Sequence, residues 1–209
     1  MHGTVPRPEQ LTGGVLAGGQ GRRLGGVDKG WLRLHGRPLI EHVVTSLAPK
    51  VCALSISANR NLAAYRRVGE LSGLQRPVEV HPDAREGYPG PMAGLHTLMT
   101  RCRTRYLVVI PVDAVVLPPD LVERLTDALI VGSAGIAVAT TSTGPHYTAC
   151  LLDCHRLEPP PPHGRVRDWM SGAGFVKASM PASAVLSVNT ERELALLGLE
   201  MPGGDGGKA

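Results

Sequence analysis

Apolar residues along the chain fall into short continuous runs separated by stretches with helical spacing. Runs of this kind are typical of buried strands, and they occur at 14–17, 53–57, 78–80, 106–112, 135–140, 147–152 and 184–188. Two stretches between them carry leucine or valine at every fourth position, as one face of a helix requires: Leu39, Val43 and Leu47 in the first, and Leu121, Leu125 and Leu129 in the second. Thr190 and Glu193 have the spacing of a capping box and predict a further helix start.

This alternation of strand and helix signals predicts an α/β domain with a mainly parallel central sheet. The run at 106–112 is apolar nearly throughout, as expected for a central strand covered on both faces. We expect one domain over residues 13–200. A flexible N-terminus over 1–12 would precede it, and a disordered, glycine-rich tail over 201–209 would follow it.

Charge narrows the classes of ligand. A net charge of +4 and a pI near 9.1 are compatible with nucleic acid or with a small polyphosphate. The basic residues are scattered along the chain, and one Phe, two Trp and four Tyr provide few rings for stacking on bases. The composition therefore favours a small anionic ligand and argues against nucleic acid.

The compartment follows from apolar runs and cysteines. No run approaches the roughly 18 apolar residues that a membrane helix needs, and the first ten residues do not resemble a signal peptide. Four thinly spread cysteines fit a reducing compartment, in which they would serve as small core residues. We expect a cytoplasmic protein that does not bind membranes.

A glycine-rich segment, "VLAGGQGRRLGGVDKG" at 15–30, follows the first predicted strand. It does not match a P-loop, because Lys29 is preceded by Asp28 and followed by Gly30. It does not match the dinucleotide fingerprint either, because Leu24 stands where the third glycine is required. The segment therefore needs an interpretation of its own.

Glycines at 18, 19 and 21 leave backbone amides free to approach a ligand and to form an anion-binding concavity. Arg22, Arg23 and Lys29 would add positive charge to this loop. The alternative is a glycine-rich turn with solvated arginines, because such turns are common. We expect the loop at the carboxyl end of a strand, where open α/β sheets bind their ligands.

Asp113 follows the apolar run at 106–112 and lies at the same predicted edge of the sheet. A carboxylate there is suited to hold Mg²⁺, which prefers oxygen ligands and usually keeps substrate phosphates as partners. An aspartate after a strand can equally cap a turn. Its combination with a glycine-rich first loop favours the metal interpretation.

Four segments carry a resemblance to a known family: "LAGGQGRRLGGVDKG", "DAREGYPGPMAGL", "IPVDAVVLPPDL" and "SVNTEREL". They resemble the signature segments of the molybdenum cofactor guanylyltransferases, in the family's order and at its spacing, across residues 14–195. The resemblance implies the Rossmann-like three-layer α/β/α fold of nucleotidyltransferases, with a mainly parallel central sheet.

The activity that the resemblance implies is Mg²⁺-dependent transfer of GMP from GTP to the phosphate of molybdopterin, with release of pyrophosphate. The product is the guanine dinucleotide form of the molybdenum cofactor. Two alternatives remain open, namely a cytidylyltransferase of the same cofactor and a non-catalytic member that binds nucleotide or pterin. Contacts with other proteins of molybdenum cofactor biosynthesis and with acceptor molybdoenzymes also remain open.

The resemblance also implies roles for individual residues. The implied nucleotide-binding residues are Leu16, Ala17, Gly18, Gly19, Lys29, Ser57, Asp83 and Asp113. Arg23, Lys29 and Asp113 would be catalytic, and Asp113 would hold the metal. Related cytidylyltransferases commonly have alanine where this chain has Gly19, which favours guanine. Candidates for binding the molybdopterin substrate are His146, Arg165 and Asn189.

The chain departs from the family pattern at several positions. Where the family usually has Pro-Cys-Asp-x-Pro, this chain has Val112 before Asp113 and Val115 in place of the second proline, so the turn loses a residue that would fix its backbone. Ser57 and Ser187 replace asparagines of the family pattern. A serine hydroxyl can still donate or accept, although with shorter reach than an amide.

Overall fold

The computed structural model describes residues 6–21, 24–72, 77–83, 90–188 and 190–202. The strands are β1 (Leu11–Leu16), β2 (Arg33–Leu34), β3 (Arg37–Pro38), β4 (Ala53–Ser57), β5 (Val78–His81), β6 (Tyr106–Pro111), β7 (Ile136–Thr141), β8 (Gly144–Asp153), β9 (Val176–Ser179) and β10 (Leu199–Glu200). The helices are α1 (Leu39–Leu47), α2 (Leu62–Arg66), α3 (Val68–Leu71), α4 (Pro91–Arg101), α5 (Leu121–Val131), α6 (Val166–Ala173) and α7 (Glu191–Leu196).

Seven strands form a central sheet in the order β5-β4-β1-β6-β8-β7-β9. Strand β8 runs antiparallel to β6 and β7, whereas the other neighbours pair in parallel. Both central strands, β1 and β6, are buried along their whole length, as strands covered on both faces must be. The predicted mainly parallel sheet is thus confirmed.

Helices cover both faces of this sheet and complete a three-layer α/β/α arrangement. One face packs against α1 and α5 in a single apolar cluster, and the other packs against α4 and α6 in a second cluster. The predicted helix faces are confirmed, because all six leucine and valine positions at four-residue spacing are buried. Burial of such apolar stripes is the main stabilising contribution to these helices.

A third apolar cluster joins the loop after β1 to the C-terminal part of the chain. Leu24 and Leu32 pack there with Val188 and Leu194. The helix that carries Leu194, α7, begins at the predicted capping box, in which the Glu193 amide donates to Thr190 Oγ1 at 3.2 Å. Strand β10 then pairs with β2 beside the same loop. The C-terminal segment therefore packs directly against the glycine-rich region.

One strand prediction is wrong. Residues 184–188 form a single antiparallel bridge, Val185 to Val116, instead of a strand. The apolar run is genuine, since Leu186 and Val188 are buried, but within the described part of the chain it pairs through this one bridge and not along the length of a strand. Strand β9 and helix α6 were not predicted, because both are short and bury few side chains: Val166 and Met170 in α6, and Ala178 in β9.

The cysteines differ from the prediction in one case. All four are free thiols, and Cys150 lies fully buried on β8 as expected of a core residue. Cys52 is exposed instead, because it precedes β4 at the rim of the sheet, where its thiol faces the Leu11 carbonyl at 3.4 Å. Across the described ranges, no helix has the length and apolar character needed to cross a bilayer.

The ends of the chain are described in part. Strand β1 starts at Leu11, two residues before the predicted start of the domain, and Pro8–Gln10 form a 3-10 turn ahead of it. Residues 1–5 and 203–209 lie outside the description. The division into one domain with two unstructured ends therefore stays a prediction.

Candidate functional site

A pocket of about 780 Å³ opens at the carboxyl edge of the parallel strands. Its wall combines the loop after β1, the start of α4 and the end of β6. These elements converge because β1 and β6 are parallel neighbours whose ends meet at one edge. This is the place where open α/β sheets bind ligands.

Lys29 projects into this pocket from a 3-10 turn, Lys29–Trp31. Its ammonium group donates to Asp113 Oδ2 at 2.7 Å and to the Val188 carbonyl oxygen at 2.6 Å. The Lys29 and Asp113 side chains are only 19% and 13% exposed, so water screens their attraction less than at an open surface. The pair joins two predicted site residues, and the carbonyl contact ties both to the C-terminal segment.

The turn that carries Asp113 is closed without the second proline of the family pattern. The Ala114 amide donates to the Pro111 carbonyl oxygen at 3.1 Å, and the Val115 amide donates to the Val185 carbonyl oxygen at 2.9 Å. A proline at position 115 has no N–H and would lose the second bond. Val115 therefore supplies by hydrogen bonding the restraint that a proline ring would supply covalently.

Asp83 also lines the pocket, and two side chains at and just after the end of β4 hold it in place. Ser57 donates its hydroxyl to Asp83 Oδ1, and Asn59 donates its amide to Oδ2 at 2.6 Å. The Asp83 backbone amide donates back to Asn59 Oδ1 at 3.0 Å. Ser57 is fully buried, so it lies behind the pocket wall and orients Asp83.

Gly18 lies directly against this aspartate. A Cβ at position 18 would fall 2.8 Å from Asp83 Oδ2 and 3.0 Å from Asn59 Nδ2, closer than side chains tolerate. At Gly19 a Cβ would meet no atom within 4 Å. The two neighbouring glycines therefore have different roles, since Gly18 permits close packing and Gly19 leaves space open.

Asp28, which precedes Lys29, is a buried organising residue that sequence reasoning missed. Its carboxylate accepts from the Gly30 amide at 3.2 Å, the Tyr65 hydroxyl at 2.7 Å and the Asn61 side chain at 3.0 Å. Burial, followed by the charge of Asp28, raises the pKa of Tyr65 well above its usual value. A phenol that keeps its proton remains a donor to Asp28 and holds the turn in place.

Arg60 is the second missed residue, and it contacts the glycine-rich loop from outside. Its guanidinium donates to the carbonyl oxygens of Gly26 at 2.6 Å, Val27 at 2.8 Å and Gly19 at 3.0 Å. Its Nε lies 3.7 Å from Asp28 Oδ2. An arginine three residues after an apolar strand end was the available signal, but its partners are more than thirty positions away in the sequence.

Most of the predicted nucleotide-binding residues converge on the pocket. Its lining includes Leu16, Ala17, Gly18, Gly19, Lys29, Asp83 and Asp113. Ser187, which replaces an asparagine of the family pattern, also faces it. The predicted Arg23 and Asn189 lie outside the described residues.

Besides Ser57, which is buried behind the pocket wall, two of the predicted residues that the structure describes lie away from the lining. His146, near the start of β8, places Nε2 2.8 Å from Thr141 Oγ1, and burial lowers its pKa below the usual value. Arg165 immediately precedes α6. Of these described residues, neither contributes to the pocket wall, and their role stays a prediction.

The donor set at Asp113 fits a cation that keeps substrate phosphates as ligands. Among the described residues, no three His, Cys, Asp or Glu side chains lie close enough to hold an ion together. Asp113 offers one carboxylate inside the pocket. Mg²⁺ is commonly held by one or two carboxylates together with phosphates and water, so Asp113 is compatible with that mode of binding.

At one edge of this sheet the glycine-rich loop meets Lys29 and Asp113. This arrangement defines a nucleotidyltransferase-like α/β protein. Residues 13–164 match the model of the MobA-like NTP transferase domain. The chain belongs to this family.

One curated relative is similar in sequence, and two solved structures are similar in fold. A protein of Bordetella pertussis named molybdenum cofactor guanylyltransferase is 46% identical over 132 residues, which are 63% of this chain and 63% of that protein. The match thus spans less than two thirds of the relative's length. A solved molybdopterin-guanine dinucleotide biosynthesis protein A from Archaeoglobus fulgidus has a TM-score of 0.67 at 17% identity, over 89% of this chain and 96% of its own. A Mycobacterium tuberculosis protein solved in complex with manganese has a TM-score of 0.62 at 19% identity, over 90% of this chain and 97% of its own.

Proposed function

We propose that this protein transfers GMP from GTP to the terminal phosphate of molybdopterin and releases pyrophosphate. The observation that carries the proposal is the Lys29–Asp113 pair, at 2.7 Å, facing the glycine-rich loop within one pocket. The name of the Bordetella pertussis relative supports the choice of nucleotide and acceptor. Gly19, where cytidylyl relatives commonly have alanine, supports guanine over cytosine.

The reaction needs alignment more than it needs a base. A phosphate oxygen of molybdopterin attacks the α-phosphorus of GTP, a new P–O bond forms, and the bond from that phosphorus to the β-phosphate bridge breaks. The bonding pair leaves with pyrophosphate. Since the nucleophile is already an anionic oxygen, catalysis rests on positioning and on neutralising negative charge.

The residues of the chain have separable tasks in this scheme. Lys29 binds the phosphates and offsets charge on the departing pyrophosphate, with Arg23 proposed to assist. The backbone at 16–19 and the Asp83 carboxylate contact the nucleoside, because a carboxylate offers two adjacent acceptors to a guanine edge or a ribose diol. Asp113 would hold a divalent cation, proposed to be Mg²⁺, which when bound supplies Lewis-acid polarisation of the phosphates.

The acceptor is proposed to bind beyond the nucleotide, where Asn189, Arg165 and His146 are the candidates. Their side chains offer an amide, a cation and an imidazole to the phosphate and the pterin. Other proteins of molybdenum cofactor biosynthesis are proposed as donors of the substrate, and molybdoenzymes are proposed as acceptors of the product.

Purified protein incubated with molybdopterin, Mg²⁺ and either GTP or CTP tests the proposal. We expect the guanine dinucleotide form of the cofactor and pyrophosphate, both measured by chromatography. Absence of product with either nucleotide would overturn the enzymatic assignment. Product with CTP alone would overturn the choice of guanine.

A matched pair of variants tests the role of Asp113. Asp113→Ala is expected to abolish transfer while the circular dichroism spectrum stays that of the wild type. Asp127→Ala removes a carboxylate on the exposed side of α5 and is expected to leave the rate unchanged. Normal turnover by Asp113→Ala would exclude this residue as the metal ligand.

A further inference from the structure

The segment at 57–61, which begins with the last residue of β4, contacts two parts of the pocket wall. Ser57 and Asn59 hold the Asp83 carboxylate. Arg60 reaches the Gly26 carbonyl oxygen in the glycine-rich loop, and Asn61 reaches Asp28. Five consecutive residues therefore connect the wall at Asp83 with the turn that presents Lys29.

Arg60 makes the largest set of these contacts. Its Nη1 donates to the Gly26 carbonyl oxygen at 2.6 Å, and its Nη2 donates to those of Val27 at 2.8 Å and Gly19 at 3.0 Å. The side chain is 24% exposed, and its Nε faces the buried Asp28 carboxylate at 3.7 Å. One guanidinium thus joins the start of the loop to its end.

The chemistry of these contacts requires arginine. A guanidinium presents five donors in a planar fork, whereas a lysine ammonium is a compact point charge that cannot span three separated carbonyl groups. Hydrogen bonds from a charged donor are roughly twice as strong as neutral ones. A free carbonyl oxygen also carries partial negative charge, which would repel a nearby phosphate unless a cation offsets it.

The contacts at Gly26 and Val27 are adjacent in sequence to Asp28 and Lys29. Asp28 starts the 3-10 turn that projects Lys29 toward Asp113. Fixing the two carbonyl groups before this turn fixes the point from which the Lys29 side chain extends. A small shift at that point would move the ammonium group away from its partner at 2.7 Å.

We propose that Arg60 is a positioning residue that holds the glycine-rich loop in its binding conformation and thereby places Lys29. The inference depends on the proposed function only for the identity of the nucleotide. Arg60 itself does not contact the reacting atoms in this scheme. Its loss should weaken nucleotide binding through the loop and leave the acceptor side of the reaction untouched.

The test compares Arg60→Ala and Arg60→Lys with Arg67→Ala, whose side chain is 71% exposed and pairs only loosely with Glu70 at 4.0 Å. Hydrogen exchange at the Gly26 and Val27 amides, which donate to loop carbonyl groups, reports loop order. Binding of a fluorescent GTP analogue reports nucleotide affinity. Steady-state kinetics separates KM for GTP from KM for molybdopterin.

Arg60→Ala is expected to speed exchange at both amides and to weaken binding of the analogue on the order of tenfold to a hundredfold. KM for GTP should rise while KM for molybdopterin stays within about twofold. Arg60→Lys should be intermediate, and Arg67→Ala should match the wild type. If Arg60→Ala does not fold, Arg60→Lys alone decides between the same outcomes.

Wild-type exchange at Gly26 and Val27 in the folded Arg60 variants would overturn the inference. An equal rise in both KM values would also overturn it, because that result indicates general damage. If the wild type binds the analogue but transfers nothing, the proposed function fails, while exchange and binding still test Arg60.

Discussion

The Lys29 ammonium group lies 2.7 Å from Asp113 Oδ2, although 84 positions separate the two residues in the chain. One follows β1 and the other follows β6, and the parallel pairing of these strands brings both to one edge. A lysine suited to phosphate and an aspartate suited to a cation therefore begin as partners of each other. In a complex with a metal-bound nucleotide, Lys29 would exchange the Asp113 carboxylate for a phosphate, and Asp113 would exchange the Lys29 ammonium group for the cation.

Lys29→Met is expected to weaken GTP binding on the order of a hundredfold, because the phosphates lose a charged donor. It should also lower the free energy of unfolding by about 1–3 kcal/mol, since a largely buried carboxylate loses its partner. Isothermal titration calorimetry and urea denaturation measure the two effects. Lys50→Met, which breaks a more exposed pair with Glu123, should cost less than about 1 kcal/mol and leave binding intact. Equal effects of the two substitutions would contradict this assignment.

Gly18→Ala and Gly19→Ala form a matched pair of substitutions. The alanine at position 18 would push against Asp83 and Asn59, so we expect a loss of about 1–3 kcal/mol in stability and weaker nucleotide binding. The alanine at position 19 meets open space and should leave stability within about 1 kcal/mol of the wild type. Thermal unfolding distinguishes them. Similar melting temperatures for both variants would be incompatible with the observed packing.

Gly19→Ala also tests the origin of base preference. Because Gly19 lines the pocket, a methyl group there changes the space available to the nucleotide without disturbing the protein. We expect the ratio of kcat/KM for GTP to that for CTP to fall. An unchanged ratio would remove Gly19 from the determinants of base choice.

Cys102 is expected to be the most reactive thiol of the chain. A hydrogen bond from Cys154 lowers the pKa of Cys102 to about 6, whereas burial raises the pKa of Cys150 to about 12. Above about pH 7 most of Cys102 is therefore thiolate, the nucleophilic form. Alkylation by iodoacetamide, followed by peptide mass spectrometry, should level off above that pH. Cys154→Ala should move the pH profile of Cys102 alkylation to higher pH, and Cys52→Ala should leave it unchanged. A wild-type alkylation rate that still rises at pH 9 would contradict the prediction.

His146 should make folding sensitive to mild acid. Burial lowers its pKa in the folded state below the ordinary value of 6.5, so the unfolded chain binds the proton more tightly. The stability associated with neutral His146 is present above that value and is lost as the pH falls through it toward the lower folded pKa. In urea denaturation between about pH 7 and pH 5, His146→Gln should lose less stability than the wild type, with His163→Gln as a control. Identical losses would exclude the effect.

Much of the fold could be predicted from local pattern. The run at 53–57 became β4 with the same bounds, and the capping box at Thr190 starts α7. The spacing of apolar residues and the residue types of a helix cap each depend on a few neighbouring positions, so both can be recognised in the sequence. The strand predicted at 184–188 did not form, because a strand needs a neighbour as well as an apolar sequence, and among the described residues this run bridges to Val116 alone.

The site was predictable where a residue type has a direct chemical meaning. Lys29, Asp83 and Asp113 were found by charge, by position and by resemblance, and they meet in one pocket. Arg60 and Asp28 were missed because their importance lies in partners far along the chain. Asn61 adopts a left-handed conformation, φ 53°, which asparagine tolerates better than most residues, and its side chain donates to Asp28 at 3.0 Å.

The hydrogen bond from Lys29 to the Val188 carbonyl group has a consequence for folding during synthesis of the chain. Val188, whose carbonyl oxygen accepts the bond, lies 159 positions after Lys29. The third apolar cluster likewise includes Val188 and Leu194. On a ribosome, the glycine-rich loop emerges long before these residues do. A nascent chain can therefore form β1 and β6 early, but it cannot complete the environment of Lys29 until synthesis has passed Val188.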